Sequence, residues 1–218
     1  MKNIDLILFD LDGTLIDSLD DLTNATNHML LSQGRAAATR EQVRSYVGQG
    51  ARRLVERAMP DASAAELEQG LSRFLSYNEE YIADRTRLYP GVVETLTSLR
   101  DAGMTLVVVS NKNVALCSKV LTALGADGFF ACVIGADSLP ERKPSPEPLL
   151  KVLRDFDVPP MRAVMVGDSI NDIAAGKAAG VVTIGCTFGY GDLEEIADAD
   201  YLIDSLPELL ELPLLLEV

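Results

Sequence analysis

The chain begins with a short apolar run, Ile4-Asp5-Leu6-Ile7-Leu8-Phe9, that stops abruptly at Asp10-Leu11-Asp12-Gly13-Thr14. Similar runs recur at residues 106–109, 131–134, 163–166, 181–184 and 201–203, each of strand length and apolar enough to be covered on both faces. Between them the spacing is helical, from Pro90-Gly91 to about residue 100, over 114–124, after Pro146 and over 170–179. Pro146 suits a first helical turn, where its missing N–H costs nothing. Strands alternating with helices predict an α/β fold with a parallel sheet, helices on both faces and right-handed crossovers.

Residues 18–84 break this alternation. Leu19, Leu22, Thr26 and Met29, then Leu67, Leu71, Phe74, Leu75, Asn78, Tyr81 and Ile82, recur at helical intervals. Ser18-x-x-Asp21, Thr39-x-x-Gln42 and Ser63-x-x-Glu66 read as capping boxes at helix starts. A further helix is expected after Gly50, ending near Met59-Pro60. The expected organisation is an α/β core of residues 1–16 and 86–218, with residues 17–85 inserted after the first strand as an all-helical domain. Ile16-Asp17-Ser18 and Arg85-Thr86-Arg87 are the expected joints. The apolar, acidic tail, residues 209–218, is expected to dock on the core rather than to form a dimer contact.

Composition narrows the possibilities. The 218 residues are 48% hydrophobic, which suits a globular protein, and no apolar run approaches a membrane span. One Lys and then Asp5 near the N-terminus argue against a signal peptide, so a cytoplasmic location is expected. Cys117, Cys132 and Cys186 are widely spaced and odd in number, which reads as small apolar residues rather than a disulfide framework. His28 is the single histidine, so multi-histidine metal sites are excluded, a Ser-His-Asp triad is disfavoured, and a structural role is expected for it. A net charge of −14 opposes nucleic-acid binding. The charge is uneven: six Arg against Glu41 and Glu56 between Arg35 and Arg57, and nine acids without a base from Asp192 to Glu217. The basic stretch either draws an anionic substrate or is a solvated helix face.

The chemistry gathers at strand ends. Asp10 and Asp12, two apart on an extended segment, share a face at the lip of the first strand. Two acids that close do not titrate alike, which suits a carboxylate nucleophile beside an acid/base, with a metal keeping the first ionised. Ser110-Asn111-Lys112 follows the run at 106–109, and Gly167-Asp168-Ser169-Ile170-Asn171-Asp172 follows that at 163–166. Arg142-Lys143-Pro144-Ser145-Pro146 lies downstream of 131–134. In a parallel sheet all of these meet along one edge.

Taken in order, Asp10-x-Asp12-Gly13-Thr14, Ser110-Asn111, Lys143-Pro144 and Gly167-Asp168-x-x-x-Asp172 resemble the four motifs of the haloacid dehalogenase superfamily. Asp17-Ser18, Val47-Gly48-Gln49-Gly50-Ala51 and Tyr89-Pro90-Gly91-Val92 resemble its phosphoglycolate phosphatase subgroup, as does Val166-Gly167-Asp168-Ser169-x-Asn171-Asp172. Ser145 and Gln49 depart from that subgroup, where His and Asn are more usual. The resemblance implies a Rossmann-like core with a helical cap and a Mg²⁺-dependent phosphomonoester hydrolase. Asp10 would form an aspartyl-phosphate, with Asp12 as acid and base. Ser110, Lys143 and backbone N–H groups near Leu11 and Asn111 would hold the phosphoryl oxygens. Metal ligands would be the Asp10 carboxylate, the Asp12 carbonyl and the Asp168 carboxylate. Asp172 would orient Lys143 or a metal-bound water, or else cap the helix after Ser169.

Related chemistries differ at identifiable positions. Asp12 is the residue that dehalogenases lack, residues 17–85 hold no lysine for a phosphonate-hydrolase Schiff base, and Leu22 stands where mutases carry a His. The expected substrate is a small phosphate ester, first 2-phosphoglycolate, with a sugar phosphate such as N-acetylmuramate 6-phosphate, a nucleotide or pyrophosphate as alternatives. A non-catalytic phosphate-binding regulator is the remaining alternative, against which both Asp10 and Asp12 stand intact. The turn Tyr46-Val47-Gly48-Gln49-Gly50-Ala51-Arg52-Arg53 is expected to close over the site through Gly48 and Gly50. Arg52 or Arg53 is expected to meet a substrate carboxylate. Monomer and homodimer both stay open.

Overall fold

The structure is a computed structural model and describes residues 4–215. Its centre is a six-stranded sheet built from β1 (Leu6–Phe9), β4 (Thr105–Val109), β5 (Cys132–Ile134), β6 (Ala163–Gly167), β7 (Val182–Cys186) and β8 (Tyr201–Ile203). Their order is β5-β4-β1-β6-β7-β8, and every pairing is parallel. The chain builds outward from β1 in one direction through β4 and β5, and in the other from β6 to β8. The order therefore reverses at β1, which is where open α/β sheets form a crevice at their strand ends.

Alternation along the strands sorts the core onto two faces. Ile7, Phe9, Leu106, Val108, Val164 and Val166 pack with α5 (Val92–Asp101) and α6 (Val114–Ala123). Leu6, Leu8, Val107, Val109 and Met165 pack with α7 (Glu147–Asp155) and α8 (Ile170–Ala179). The tail joins the first face: a 3-10 turn at Leu206–Glu211 buries Leu206 and Leu209, and Leu215 is buried beyond it. The expected tail extends to residue 218, and its last three positions lie outside the described residues. No helix is long and apolar enough to cross a membrane among the described residues.

Between β1 and β4 lie α1 (Leu19–Ser32), α2 (Arg40–Tyr46), α3 (Ala51–Ala58) and α4 (Ala64–Glu80), packed around Leu19, Leu22, Met29, Leu54, Val55, Met59 and Phe74. This cluster is separate from the two sheet faces. The chain enters and leaves it through a two-stranded antiparallel ribbon of β2 (Ile16–Asp17) and β3 (Arg87–Leu88). The sequence marked these residues only as joints, because two-residue strands carry no periodicity. His28 stacks on Tyr77 with ring centroids 4.5 Å apart.

Two expected capping boxes form: Thr39 with Gln42, and Ser63 with Glu66. The third does not. Ser18 makes no side-chain cap, because its hydroxyl donates to Asp12 at 2.6 Å. Asp21 instead turns to the returning chain, accepting from the Arg85 N–H at 3.0 Å, the Thr86 N–H at 2.8 Å and the Thr86 hydroxyl at 2.7 Å. It thereby ties the start of α1 to the exit strand. Asp21→Ala leaves the buried Thr86 groups without an acceptor, and a loss of about 1.5–3 kcal/mol is expected in urea unfolding.

Candidate active site

Three adjacent strands end side by side, and two of them, β1 and β4, extend their ladders by one residue into the site. The Asp10 N–H donates to the Val166 carbonyl at 2.9 Å, and the Ser110 N–H to that of Ile134 at 2.9 Å. Asp10 thus follows β1, Ser110 and Asn111 follow β4, and Asp168 follows β6. Lys143 comes from the loop before α7. Its ammonium lies 3.0 Å from Asp10 Oδ1 and 2.6 Å from Asp172 Oδ1, and it also donates to the Val109 carbonyl.

Asp172 contacts both Lys143 and the first residue before α8. One oxygen holds Lys143; the other accepts from the Ser169 N–H at 3.0 Å and the Ser169 hydroxyl at 2.7 Å at the start of α8. Asp168 is held by the Tyr190 N–H at 2.6 Å and the Thr14 hydroxyl at 3.3 Å. Glycine is required around it: a Cβ on Gly13, whose φ is +88°, would lie 2.2 Å from Asp168 Oδ2, and one on Gly189 would lie 2.2 Å from its Cβ.

Oxygens of Asp10, Asp168 and Asp172 all lie within 4.8 Å of one another. Burial pushes the Asp10 carboxyl up to about 6, against the pull of Lys143. It pushes Asp168 up to about 8, with repulsion from Asp10 and Asp172 adding to it. Burial alone would lower the Lys143 ammonium, but Asp10 and Asp172 outweigh it and the net shift is upward. With all three carboxylates ionised, one ammonium would leave two negative charges uncompensated in a low-dielectric setting, which is why burial and mutual repulsion push Asp10 and Asp168 upward. A divalent cation with a preference for oxygen ligands fits both that charge and that donor set.

Asp12 stands outside the triad. Its carboxylate accepts from Lys112 Nζ at 2.8 and 3.0 Å and from Ser18 Oγ at 2.6 Å. Ser110 and Asn111 are buried beside it. Asn111 Nδ2 donates to the carbonyls of Lys143 at 2.9 Å and Gly48 at 3.0 Å, and Asn171 Nδ2 donates to Gly48 at 3.3 Å. The Gly48 turn therefore rests on the core's catalytic edge, and Gly50 lines the adjoining space. The Leu11 side chain is buried, and its backbone N–H favours the charged form of the Asp10 carboxylate.

Arg52 departs from the expected placement. It forms a two-point pair with Glu68 at 2.7 and 3.0 Å, and Arg53 pairs with Glu56 at 2.7 Å. Neither lines the two cavities that open onto Asp10 and Asp12. The rest of the basic stretch is also engaged: Arg35 with Asp61, Arg40 with Asp20, Arg57 with Gln49, and Arg44 with the Gly189 and Tyr190 carbonyls. A sequence shows how many acids lie within helical reach of an arginine, but not which one claims it.

Thr14, Ser18 and Lys112 stood inside the sequence motifs and clusters without a role assigned to them, and Tyr190 lay outside every one. Lys112 had a signal in its place directly after Ser110-Asn111. Tyr190 lies in a Gly-Tyr-Gly turn beyond the end of β7, and its hydroxyl accepts from the Ser18 N–H at 2.6 Å. One cavity of about 60 Å³ runs between Asp10, Asp12 and Ser110 on the core side and Leu22, Leu54 and Phe74 on the helical side. A second, of about 260 Å³, reaches the same two carboxylates past Asp168, Arg44 and Tyr190.

A carboxylate at the reversal point of a parallel sheet, faced by a buried lysine and two further acids, defines a hydrolase site. The chain belongs to the haloacid dehalogenase-like hydrolases, whose family profile matches residues 7–186. Proteins named phosphoglycolate phosphatase from Chromobacterium violaceum and Neisseria meningitidis are 40% and 38% identical to it. Those alignments cover 97% of this chain in each case, and 97% and 94% of the relatives. The crystal structure of a predicted phosphoglycolate phosphatase from Haemophilus somnus 129pt matches with a TM-score of 0.92 at 34% identity, covering 97% of this chain and 98% of that one.

The buried lysine is the cation that this arrangement of acids rests on. Lys143→Ala strands Asp10 and Asp172 without it, and a stability loss of about 3–5 kcal/mol is expected by chemical denaturation in chelator.

Proposed function

We propose that the protein hydrolyses 2-phosphoglycolate to glycolate and phosphate, with Mg²⁺, through an aspartyl-phosphate on Asp10. The observation that carries this reading is the contrast between two neighbouring carboxylates. Asp10 lies beside a buried ammonium and two more acids, whereas Asp12 is held apart by Lys112 and Ser18. A divalent cation at the three acids would keep Asp10 ionised for attack, and Asp12, outside that cluster, is the carboxyl left to exchange a proton.

Phosphate monoesters hydrolyse so slowly unaided that the barrier must fall by more than about 20 kcal/mol. Positioning and charge neutralisation supply most of that. The Asp10 carboxylate, the Asp12 carbonyl and the Asp168 carboxylate would hold Mg²⁺, which when bound would supply counter-charge to the phosphoryl oxygens. Lys143, Ser110 and the backbone N–H groups of Leu11 and Asn111 hold the phosphoryl oxygens. Asp10 attacks phosphorus in line while Asp12 gives its proton to the leaving glycolate oxygen. Asp12 then takes a proton from the water that cleaves the acyl phosphate. Residues 17–85 act as a cap, with the Gly48 turn and the apolar wall of Leu22, Leu54 and Phe74 keeping bulk water from the intermediate.

The names of the relatives and the narrowness of the inner cavity support phosphoglycolate over bulkier esters. The inner cavity, at about 60 Å³, is the smaller of the two that reach Asp10 and Asp12. The three cysteines are free thiols, consistent with a reducing cytoplasm.

Asp10→Asn removes the attacking oxygen while keeping its shape. It is expected to abolish turnover and to leave no phosphoenzyme trappable by acid quench; near-normal kcat would reject the mechanism. Asp12→Ala is expected to slow alkyl phosphates by roughly 10²–10⁴-fold and activated aryl phosphates far less, because a good leaving group departs without a proton. Equal losses on both ester classes would assign Asp12 a structural role. The metal has a readout apart from activity. With folded-state values raised to about 6 and about 8, Asp10 and Asp168 stabilise the metal-free fold at low pH, and that contribution is lost as pH rises through these values. In EDTA the melting temperature should therefore fall between about pH 5 and pH 8, and Mg²⁺ should raise it most at the alkaline end. A Mg²⁺ effect independent of pH would count against these ligands.

A further inference from the structure

Asn78 lies on α4, on the stripe that otherwise carries Leu67, Leu71, Phe74 and Leu75. Helical spacing at that position calls for an apolar side chain packed inward. The structure buries Asn78 to 4% exposure, yet its carboxamide has no hydrogen-bond partner among the described residues. The amide atoms are not among the fully buried unpaired ones, so they keep a surface open to the adjoining space. Asn78 lines the inner cavity instead, across from Asp10 and Asp12, with apolar Leu22, Leu54 and Phe74 on its own side. It is the one polar side chain that the helical insert contributes to that wall. Arg52 and Arg53, the cations that the sequence offered for reading a substrate anion, are committed elsewhere.

We propose that Asn78 is the specificity-determining residue of the helical insert, donating its amide N–H to the carboxylate of the bound ester. The inference rests on the phosphoglycolate reading above. A carboxamide offers two donors and carries no charge. It can recognise a carboxylate beside Asp12 without competing for Asp12 as a second ammonium would. Lys112, whose ammonium is on Asp12, lines the same cavity and gives the substrate's extra charge a cation in that space. A site built to hydrogen-bond one group discriminates strongly against an analogue that lacks it, because its own polar group is then left unpaired.

The test compares 2-phosphoglycolate with ethyl phosphate, which has a two-carbon leaving group and no carboxylate, by kcat/KM at fixed Mg²⁺. The wild-type protein is measured first; no preference for 2-phosphoglycolate overturns the substrate reading and this inference with it. With that preference established, Asn78→Leu is expected to lower the ratio of the two kcat/KM values by at least about tenfold, chiefly through KM for 2-phosphoglycolate. Its melting temperature should equal or exceed that of wild type, since the amide makes no bond within the protein and leucine continues the apolar stripe of α4; a structural asparagine would give a drop. Asn78→Asp, nearly the same shape, should lower the ratio further and raise relative activity on phosphoethanolamine, whose ammonium would face the new carboxylate. A ratio unchanged in both variants, beside an intact wild-type preference, overturns the role of Asn78 and leaves the proposed reaction standing.

Discussion

Lys143 is a single ammonium buried among three carboxylates, and most of the local structure serves to keep that arrangement from flying apart. Removing water from Asp10, Asp168 and Asp172 is costly, and one lysine compensates only part of the repulsion. The backbone makes up some of the difference. Asp172 accepts at the start of α8, Asp168 takes the Tyr190 N–H, and the backbone N–H of Leu11 favours the charged form of Asp10. Glycines at 13 and 189 let the main chain come close enough to hold Asp168. What stays uncompensated is negative charge, which calls for a divalent cation; only with that cation in place would the cluster accept an anionic phosphoryl group.

The same constraint separates the roles of Asp10 and Asp12, although they are neighbours in sequence. Side chains two apart share a face of an extended segment, but the strand ends at Phe9. Beyond it the chain turns, and the two carboxylates enter different networks. Asp10 faces the buried acids and Lys143. Asp12 faces Lys112 and, through Ser18, the entry to the helical insert. Chemistry in the core is thus linked to the position of the insert by a hydroxyl at the first residue after β2. The insert adds the Gly48 turn, held by Asn111 and Asn171, and an apolar wall interrupted by one amide.

Most of the fold was legible because strand and helix periods differ and the strands here are nearly pure apolar runs. The observed strands begin and end within two residues of those runs, and the functional groups follow directly at their ends. The parallel sheet then brings Asp10, Ser110 and Asp168 together without any further information. Less legible were features set by competition. Ser18-x-x-Asp21 has the form of a capping box, but Asp12 claims the serine and the returning chain claims the aspartate. The β2–β3 ribbon is too short to leave a periodic trace.

By itself, then, the sequence determined the alternation of elements, the strand-end placement of Asp10, Ser110 and Asp168, and the family to which the chain belongs. Each of these depends on local spacing along one segment. Tertiary structure alone decided which partner each charge takes: Arg52 goes to Glu68, Lys112 to Asp12, and Asp172 to both Ser169 and Lys143. It also decided that Asn78, on an apolar stripe, faces a cavity rather than a partner. Coulombic and hydrogen-bond pairings depend on distances between segments far apart in the chain, and those distances exist only once the helices have packed on the sheet.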